Sequence, residues 1–223
     1  ATRWRAKADA LAKAVEDAGW DGSWYRRAYF DDGTPLGTAG AEECRIDSLP
    51  QSWSVFAGGD PKRSAQAMAA AEEHLVLDAD RVVLLLSPPF DHSRPNPGYI
   101  QGYVPGTREN GAQYSHAAAW VVQAMAGLGR GGTAFQLFQY LNPVNHALCK
   151  NDLRIYKGEP YVVAGDVFGI PPHTGRVGWS WYTGSAGWLH QAGLESILGL
   201  QRRGDHLHID PCIPASWPEC TGR

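Results

Sequence analysis

The chain has few cysteines, and their arrangement is uninformative about metal or disulfide chemistry. Among 223 residues there are four, Cys44, Cys149, Cys212 and Cys220. Their spacing matches no zinc pattern and is too sparse for a disulfide scaffold. We expect reduced thiols in a cytosolic protein. A Cys212–Cys220 disulfide in that short, proline-rich stretch is the alternative.

The sequence also lacks a membrane-spanning run and a positively charged surface. The apolar candidate Val82–Leu86 has five residues, far short of the roughly 18 that suggest a membrane span. We predict a short buried segment there and no direct membrane contact by this part of the protein. The formal net charge is −3, so nucleic acid is not an expected partner.

Several common catalytic motifs are missing as well. The chain has no serine nucleophile elbow and no nucleotide-type phosphate loop. Its histidines show no metal-ligand spacing, so we predict no metal site. His206 and His208 alternate with Leu207, which indicates that the two imidazoles share a solvent-facing side of a short strand.

Aromatic residues, by contrast, are plentiful. The sequence contains nine Trp and nine Tyr, together with 26 Gly and 15 Pro. An indole ring offers a flat apolar face to the C–H surface of a sugar, and its N–H can reach a hydroxyl group. Filling of a core by Trp is the alternative explanation, so this composition alone does not establish a sugar site.

Helical periodicity dominates the chain and predicts an all-α fold. Apolar residues recur on one stripe at Trp4, Ala8, Leu11 and Val15, and this helix should end near Gly19. The other predicted helices are Gln51–Phe56, one beginning at Pro61 and continuing through Met68, Ala71 and Leu75, Gln113–Leu128, Gly132–Leu141, Pro160–Phe168 and Thr183–Leu198. Polar-faced and apolar helices alternate, as expected for two concentric layers.

The remaining segments predict loops and one strand. Residues 21–40 should form a loop or hairpin with its turn at Asp32-Gly33. The proline-rich stretch Ser87–Gly111 carries aromatic residues, which favours a functional loop over disorder. A short strand without a partner is expected around Leu207 and Ile209. The chain opens inside a helix and ends just after that strand, so we expect it to be part of a longer protein, with residues 1–205 helical and 206–223 beginning a β segment.

The segment 179–188 has the features of an anion site. Thr183 is an N-cap candidate for a helix whose first turn contains Gly184 and Ser185. Free N–H groups at a helix start bind anions, hydroxyl groups add donors, and glycine permits close approach. An ordinary capped helix, with small residues for tight packing, is the competing interpretation.

Two further segments offer charged groups. Residues 108–116 contain a cation, a carboxylate, an amide and the imidazole of His116, which either contacts a phosphate or is a core histidine. Residues 159–166 place Glu159 and Asp166 in an apolar helical setting. A carboxylate there is costly unless partnered, so Asp166 either accepts sugar hydroxyls or pairs with an arginine.

Read together, the motifs resemble those of glycoside phosphorylases of glycoside hydrolase family 94. Within that family they are most similar to the phosphorylase-like domain of bacterial cyclic β-1,2-glucan synthases. The matching segments are residues 20–25, 29–37, 45–48, 51–53, 88–91, 97–99, 159–163, 181–188 and 210–214.

This resemblance implies an (α/α)6 barrel, of which the chain would form roughly the second half. It also implies inverting phosphorolysis of a β-glucosidic bond to α-glucose 1-phosphate, with inorganic phosphate as co-substrate and no cofactor. The implied phosphate ligands are His116, Thr183 and Gly184. The resemblance assigns the leaving-group sugar to Tyr103 and Arg108, and the transferred sugar to Glu109 and Asp166.

The sequence departs from the family at the catalytic acid. The family's general acid is an aspartate in a segment preceding the region represented here, and no segment of this chain matches it. A placed proton donor contributes about 10²–10⁴-fold to such a reaction. We therefore assign no catalytic residue and expect the isolated chain to be inactive. Disaccharide phosphorylases usually have Lys where Arg108 stands, so the acceptor contacts differ from theirs.

Three functions are compatible with these patterns. In the first, the chain is part of a cyclic β-1,2-glucan synthase at the cytoplasmic face of the bacterial inner membrane, where it binds β-glucan and phosphate, contacts the rest of its polypeptide and controls chain length. In the second, it belongs to a cytoplasmic β-glucan or disaccharide phosphorylase. The third is a carbohydrate-binding helical domain without chemistry.

Overall fold

A computed structural model describes residues 2–181, 183–219 and 221 of the chain. Within this part, α-helices alternate with strands of only two to four residues. The helices are α1 (Thr2–Ala14), α2 (Ser48–Phe56), α3 (Pro61–Leu75), α4 (Ser115–Gly127), α5 (Gly131–Leu141), α6 (Lys150–Tyr156) and α7 (Thr183–Gln191). Turns of π-helix, Val15–Gly19 and Ala192–Ile197, extend α1 and α7. No described helix is long and apolar enough to cross a bilayer.

The strands pair in small antiparallel sheets between the helices. They are β1 (Ala28–Tyr29), β2 (Pro35–Leu36), β3 (Ile46–Asp47), β4 (Val76–Leu77), β5 (Val82–Val83), β6 (Leu86–Ser87), β7 (Gln113–Tyr114), β8 (Asp166–Val167), β9 (Val177–Trp179), β10 (Leu200–Arg203) and β11 (His206–Ile209). The pairs are β1–β2, β3–β6, β4–β5 and β10–β11, and the one three-stranded sheet among the described residues has the order β7–β8–β9.

Helix α4 forms the centre of the main core. It packs against α2, α3, α5 and α7. Its many alanines, including Ala118 and Ala124, let these neighbours approach closely on several sides. Met68 of α3, Leu137 of α5 and Leu189 of α7 bury their side chains in the same cluster. Because His116 lies in the first turn of α4, this packing fixes the backbone that carries the predicted phosphate ligand.

Most of the predicted helices and turns are confirmed. The first helical stretch ends at Gly19, and α3 begins at Pro61 with the Asp60 carboxylate accepting two N–H groups at its start. The buried residues of α3 include Met68, Ala71 and Leu75. Strands β1 and β2 form the expected hairpin, and Gly199 has a φ of +71°, which suits a helix stop.

Two of the predicted helices, the first from an apolar stripe and Gln51–Phe56 from its apolar content, bury fewer apolar side chains than their sequences indicate. None of the residues of α1 is buried, and Trp4 remains 69% exposed. On α2 the buried positions are Ser48, Gln51, Ser52 and Ser54, whereas Trp53 and Phe56 are exposed. The sequence therefore located both helices, but it did not identify which face of α2 packs.

The predicted helix Pro160–Phe168 is wrong. Residues 160–165 form turns and irregular backbone, and Asp166 belongs to β8, which pairs with β7 and β9. The β-branched Val162, Val163 and Val167 and the interrupting Gly165 disfavour a helix, and strand pairing supplies the backbone hydrogen bonds instead. The helix in this region is α6, which the sequence patterns did not predict.

Strand content was underestimated as well. Residues 113–114 form β7, so α4 begins at Ser115 rather than at Gln113. The expected strand at Leu207 and Ile209 is confirmed, but it does have a partner, because it forms a hairpin with β10. Val82–Leu86 is buried as predicted. Cys44, Cys149 and Cys212 are free thiols, and the Cys212–Cys220 alternative involves Cys220, which lies outside the described residues.

The Gln51 side chain joins α2 to the segment that precedes the β1–β2 hairpin, and loss of this side chain should destabilise the fold. Its buried Oε1 accepts the N–H of Tyr25 at 2.9 Å, and its Nε2 donates to the carbonyls of Tyr25 at 2.9 Å and Asp47 at 2.8 Å. Gln51→Ala leaves these backbone groups buried without partners, so we expect a loss of about 1–3 kcal/mol in the free energy of unfolding. Denaturant unfolding measures this loss.

The matched control is Gln66→Ala. Gln66 lies on α3, and its amide makes only exposed contacts of 3.3 Å with the carbonyls of Gly22 and Ser23. The control should change the free energy of unfolding by less than about 0.5 kcal/mol. Equal losses in the two variants would contradict the structural role given to Gln51.

Candidate functional site

The candidate site is a concavity at one end of the β7–β8–β9 sheet. The turn before β7 and the first turns of α4 and α7 contribute the rest of its lining. The residues that line the concavity are Arg108, Glu109, Tyr114, His116, Gly165, Asp166, Trp179 and Ser185. Four predicted site residues line it, and Asp166 is brought next to Arg108, Glu109 and His116 although it lies 50 or more residues further along the chain.

Asp166 connects the turn before β7 to strand β9 at this site. Its Oδ2 accepts the backbone N–H of Arg108 at 3.0 Å, and its Oδ1 accepts the backbone N–H of Trp179 at 2.8 Å. The side chain is buried, and burial raises the pKa of the carboxyl group although the nearby Arg108 charge opposes that shift. Because both oxygens accept backbone N–H groups, Asp166 holds the turn before β7 and strand β9 in position relative to each other.

The side chain of Arg108 lies between two aromatic rings. Its Cζ is 5.1 Å from the ring centroid of Tyr103 and 4.5 Å from that of Trp179. Such contacts orient a guanidinium group and leave its N–H groups available at the edges. The Arg108 backbone has a φ of +49°, a conformation that costs energy in a non-glycine residue. The contact with the Arg108 guanidinium connects the Tyr103 ring to the site.

The turn that carries Arg108 and Glu109 is anchored by Asn110. The buried Asn110 amide accepts the N–H of Phe90 at 2.7 Å and donates to the carbonyls of Phe90 and Tyr103, both at 2.8 Å. Next to it, Oε2 of Glu109 is buried and has no hydrogen-bond partner among the described residues. A buried carboxylate oxygen in that state favours a ligand that can donate a hydrogen bond.

His116 lies directly against the start of α7. A Cβ atom added to Gly184 would lie 2.6 Å from Cε1 and 2.8 Å from Nε2 of the imidazole, so only glycine leaves room for the ring. The ring also stacks with Tyr114, with centroids 5.9 Å apart. Partial burial lowers the pKa of His116, so the ring is neutral at pH 7 and has one N–H to donate.

The residues predicted as phosphate ligands are described to different extents. Gly184 and His116 are adjacent, as given above. The α7 helix begins at Thr183 itself, so this residue occupies the first turn rather than the preceding cap position. The Thr183 side chain and Tyr182 lie outside the described residues. Ser185, named above as a hydroxyl donor, is buried and lines the concavity.

Residue-by-residue prediction missed three members of the lining, namely Tyr114, Gly165 and Trp179. All three fall inside or beside segments that the sequence had singled out, but no spacing rule indicated their roles. The position of Trp179 depends on its pairing with Asp166 across β8 and β9. The predicted helix over residues 160–168 would have excluded this strand pairing, so the role of Trp179 could not be predicted from it.

The close approach of β9 to Asp166 predicts a strong effect of Gly178→Ala. A Cβ at position 178 would lie 2.4 Å from Oδ2 and 2.8 Å from Cγ of Asp166. The carboxylate cannot move away without losing its bonds to Arg108 and Trp179, so we expect about 1–3 kcal/mol of destabilisation. The control is Gly132→Ala, because that Cβ would have no neighbour within 4 Å. Thermal and denaturant unfolding compare the variants, and equal stability would contradict the proximity.

Comparison with known proteins adds an independent finding. A family model described as "Glycosyl hydrolase 94 superfamily, catalytic domain" matches residues 1–199. The chain is 53% identical over 216 residues to the cyclic beta-(1,2)-glucan synthase NdvB of Rhizobium meliloti (strain 1021), an alignment that covers 96% of this chain and 8% of that protein.

Two phosphorylases of Paenibacillus borealis are also similar. Solabiose phosphorylase is 34% identical over 219 residues, and 3-O-beta-D-glucopyranosyl-beta-D-glucuronide phosphorylase is 37% identical over 215 residues. Each alignment covers 95% of this chain and 27% of the relative, so the chain spans about a quarter of these phosphorylases. Because the family model matches most of its length, the chain belongs to the glycosyl hydrolase 94 superfamily.

Proposed function

We propose that this chain forms the phosphate-binding and leaving-group part of a glycoside phosphorylase domain that acts on β-1,2-glucan. The observation that carries the proposal is the contact between His116 and the start of α7, inside a concavity that also contains Arg108 and Glu109. Inorganic phosphate is the co-substrate, and the proposal requires no other cofactor.

The chemistry of this region suits a phosphate anion. The start of α7 carries the positive end of the helix dipole, which favours a negatively charged ligand. The neutral His116 ring can donate one hydrogen bond, and the Arg108 guanidinium attracts negative charge. Gly184 allows an anion to approach the backbone, and the resemblance assigns Thr183 to the same ligand set.

The neighbouring carboxylate suits a sugar. Oε2 of Glu109 is buried without a partner among the described residues, and a sugar hydroxyl would supply the missing donor. Tyr103 and Arg108 provide an aromatic face and hydrogen-bond donors for the leaving-group sugar. Asp166 lines the same space, but its two oxygens already accept N–H groups, so we give it a positioning role.

In the proposed reaction, a phosphate oxygen attacks the anomeric carbon on the face opposite the leaving group. The glycosidic bond breaks with inversion, and the leaving oxygen takes a proton from a general acid. Phosphate takes the place of the base-activated water of an inverting hydrolase, so only one acid is needed. We place that acid in a part of the protein outside this chain.

The arrangement of helices supports a half-barrel. Helix α4 contacts α2, α3, α5 and α7, and a helix with several helical neighbours is compatible with the inner layer of an (α/α)6 barrel. The 53% identity to a cyclic β-1,2-glucan synthase favours β-1,2-glucan as substrate. We propose chain-length control as the role and the cytoplasmic face of the inner membrane as the location.

A soluble disaccharide phosphorylase is the second candidate, and it is favoured by the phosphorylase relatives that this chain also matches. The two candidates differ in the length of the sugar they bind. Titration with a β-1,2-linked disaccharide and with longer β-1,2-glucan chains separates them, since the glucan-active domain must accept the longer chains.

The phosphate proposal predicts that Gly184→Ala weakens phosphate binding at least about tenfold, equivalent to about 1.4 kcal/mol. The added methyl group would displace the His116 ring from the start of α7. Calorimetry with inorganic phosphate measures the affinity. In NMR titrations phosphate should raise the pKa of His116 in the native chain, because the anion stabilises the charged imidazole, and this rise should be absent in the variant.

Gly187→Ala is the matched control. Gly187 lies on the same helix, and a Cβ there would have no neighbour within 4 Å. The substitution should stabilise α7 by up to about 1 kcal/mol through helix propensity and leave phosphate binding unchanged. If phosphate leaves the His116 titration of the native chain unaltered, the proposed anion site is wrong.

The missing general acid predicts that the purified chain does not turn over substrate. No release of α-glucose 1-phosphate above background is expected from β-1,2-glucan and phosphate, even when phosphate binding is demonstrated in the same preparation. The expected loss is at least about 10²–10⁴-fold relative to an intact enzyme. Turnover near that of a full-length phosphorylase would show that one of the carboxyl groups described here serves as the acid.

A further inference from the structure

An ordered row of aromatic side chains leads outward from the site. It begins at Trp179, continues through the Arg108 guanidinium to Tyr103, and ends at Tyr99, whose ring centroid lies 6.0 Å from that of Tyr103. The Tyr99 and Tyr103 rings are perpendicular, at 90°. Tyr103 is half-buried, whereas Tyr99 is 70% exposed.

From this row we infer that Tyr99 is a sugar-binding platform one position beyond the leaving-group sugar, which makes the site selective for oligosaccharides over disaccharides. The inference rests on the proposed function, because it takes Tyr103 and Arg108 as the leaving-group position. It adds a specificity residue to which no role has been assigned above.

The backbone that carries Tyr99 is held firmly, which distinguishes it from a mobile surface tyrosine. Tyr99–Gly102 is a turn of 3₁₀-helix, and Ile100 within it packs against the core cluster of Cys44, Leu86 and Phe90. Nε2 of Gln101 donates to the carbonyl of Asp91 at 2.9 Å. With Ile100 directed into the core, the neighbouring Tyr99 ring is kept in solvent.

The residue before this turn also restricts the chain. Gly98 has a φ of +88° and a ψ of −151°, a region that is essentially restricted to glycine. Its N–H donates to the Asn96 side chain at 2.7 Å. At the other end of the turn, the Tyr103 carbonyl accepts from the buried Asn110 amide. The Tyr103 end of the turn is therefore fixed to the Asn110 framework that positions Arg108 and Glu109, and the other end is restricted locally by Gly98 and Asn96.

The chemistry of an exposed, immobilised tyrosine suits a glucan chain. The C–H face of a β-linked glucose unit is apolar and flat, and it can cover the exposed ring of Tyr99 while its hydroxyl groups remain in water. Arg108 and Tyr103 hold the preceding unit in the proposed function. A disaccharide would end at that unit, so only chains of three or more sugars would reach Tyr99.

The experiment measures affinity against chain length. β-1,2-linked glucose oligosaccharides of two, three and four units are titrated calorimetrically into the native chain and into Tyr99→Ala, with inorganic phosphate present. The native chain should bind the trisaccharide more tightly than the disaccharide. Tyr99→Ala should reduce trisaccharide affinity by about two- to tenfold, the range expected for one aromatic contact, and leave disaccharide affinity unchanged.

Two further variants separate binding from structure. Tyr99→Phe should retain the trisaccharide preference, because stacking uses the ring face. Trp4→Ala is the control, since Trp4 on α1 is 69% exposed, close to the value for Tyr99, and should leave all three affinities unchanged. The thermal midpoint of Tyr99→Ala should match that of the native chain.

Two results would overturn the inference, and they have different consequences. If the native chain binds the disaccharide and the trisaccharide equally, or if Tyr99→Ala weakens both alike, Tyr99 sets no chain-length preference, while the proposed phosphate and leaving-group sites stand. If none of the oligosaccharides binds in the presence of phosphate, the proposed sugar site fails together with the inference.

Discussion

The carboxylate of Asp166 accepts two backbone N–H groups, one from the turn before β7 and one from strand β9, and the geometry of the site depends on this interaction. One N–H belongs to Arg108 and the other to Trp179, so the rings and the guanidinium that line the concavity are fixed relative to each other. Burial makes ionisation of this carboxyl group costly. Its hydrogen bonds to two N–H groups partly offset that cost and leave little freedom for the carboxylate to move.

Around this interaction the molecule combines a well-packed core with an energetically unfavourable site. The alanine-rich α4 is surrounded by neighbouring helices and bears His116 at its first turn. Arg108, which precedes β7 and α4 in the chain, and Trp181, which precedes α7, adopt positive φ angles, and a Glu109 oxygen has no partner among the described residues. Such features persist where the surrounding structure holds them in place, and they are typical of binding sites.

Glycine has a specific steric role at two positions. At Gly184 the missing side chain lets the helix start approach the His116 ring, and at Gly178 it lets β9 approach the Asp166 carboxylate. Both contacts join segments that are distant in sequence. A glycine-rich sequence shows that close approaches are possible, but it does not indicate which group each glycine meets. That information comes only from the packed structure.

The sequence by itself determined the family, most of the helices and the identity of His116, Arg108, Glu109 and Gly184 as candidate site residues. Periodicity and capping residues are local properties, and motif similarity records residue identity and order, so each can be read along the chain. Only the tertiary structure decided that residues 160–168 form a turn and a strand, that Asp166 joins the turn before β7 to β9, and that Tyr114 and Trp179 complete the lining. These features depend on hydrogen bonds and packing between segments that are far apart in sequence, and pairing of that kind leaves no local periodicity.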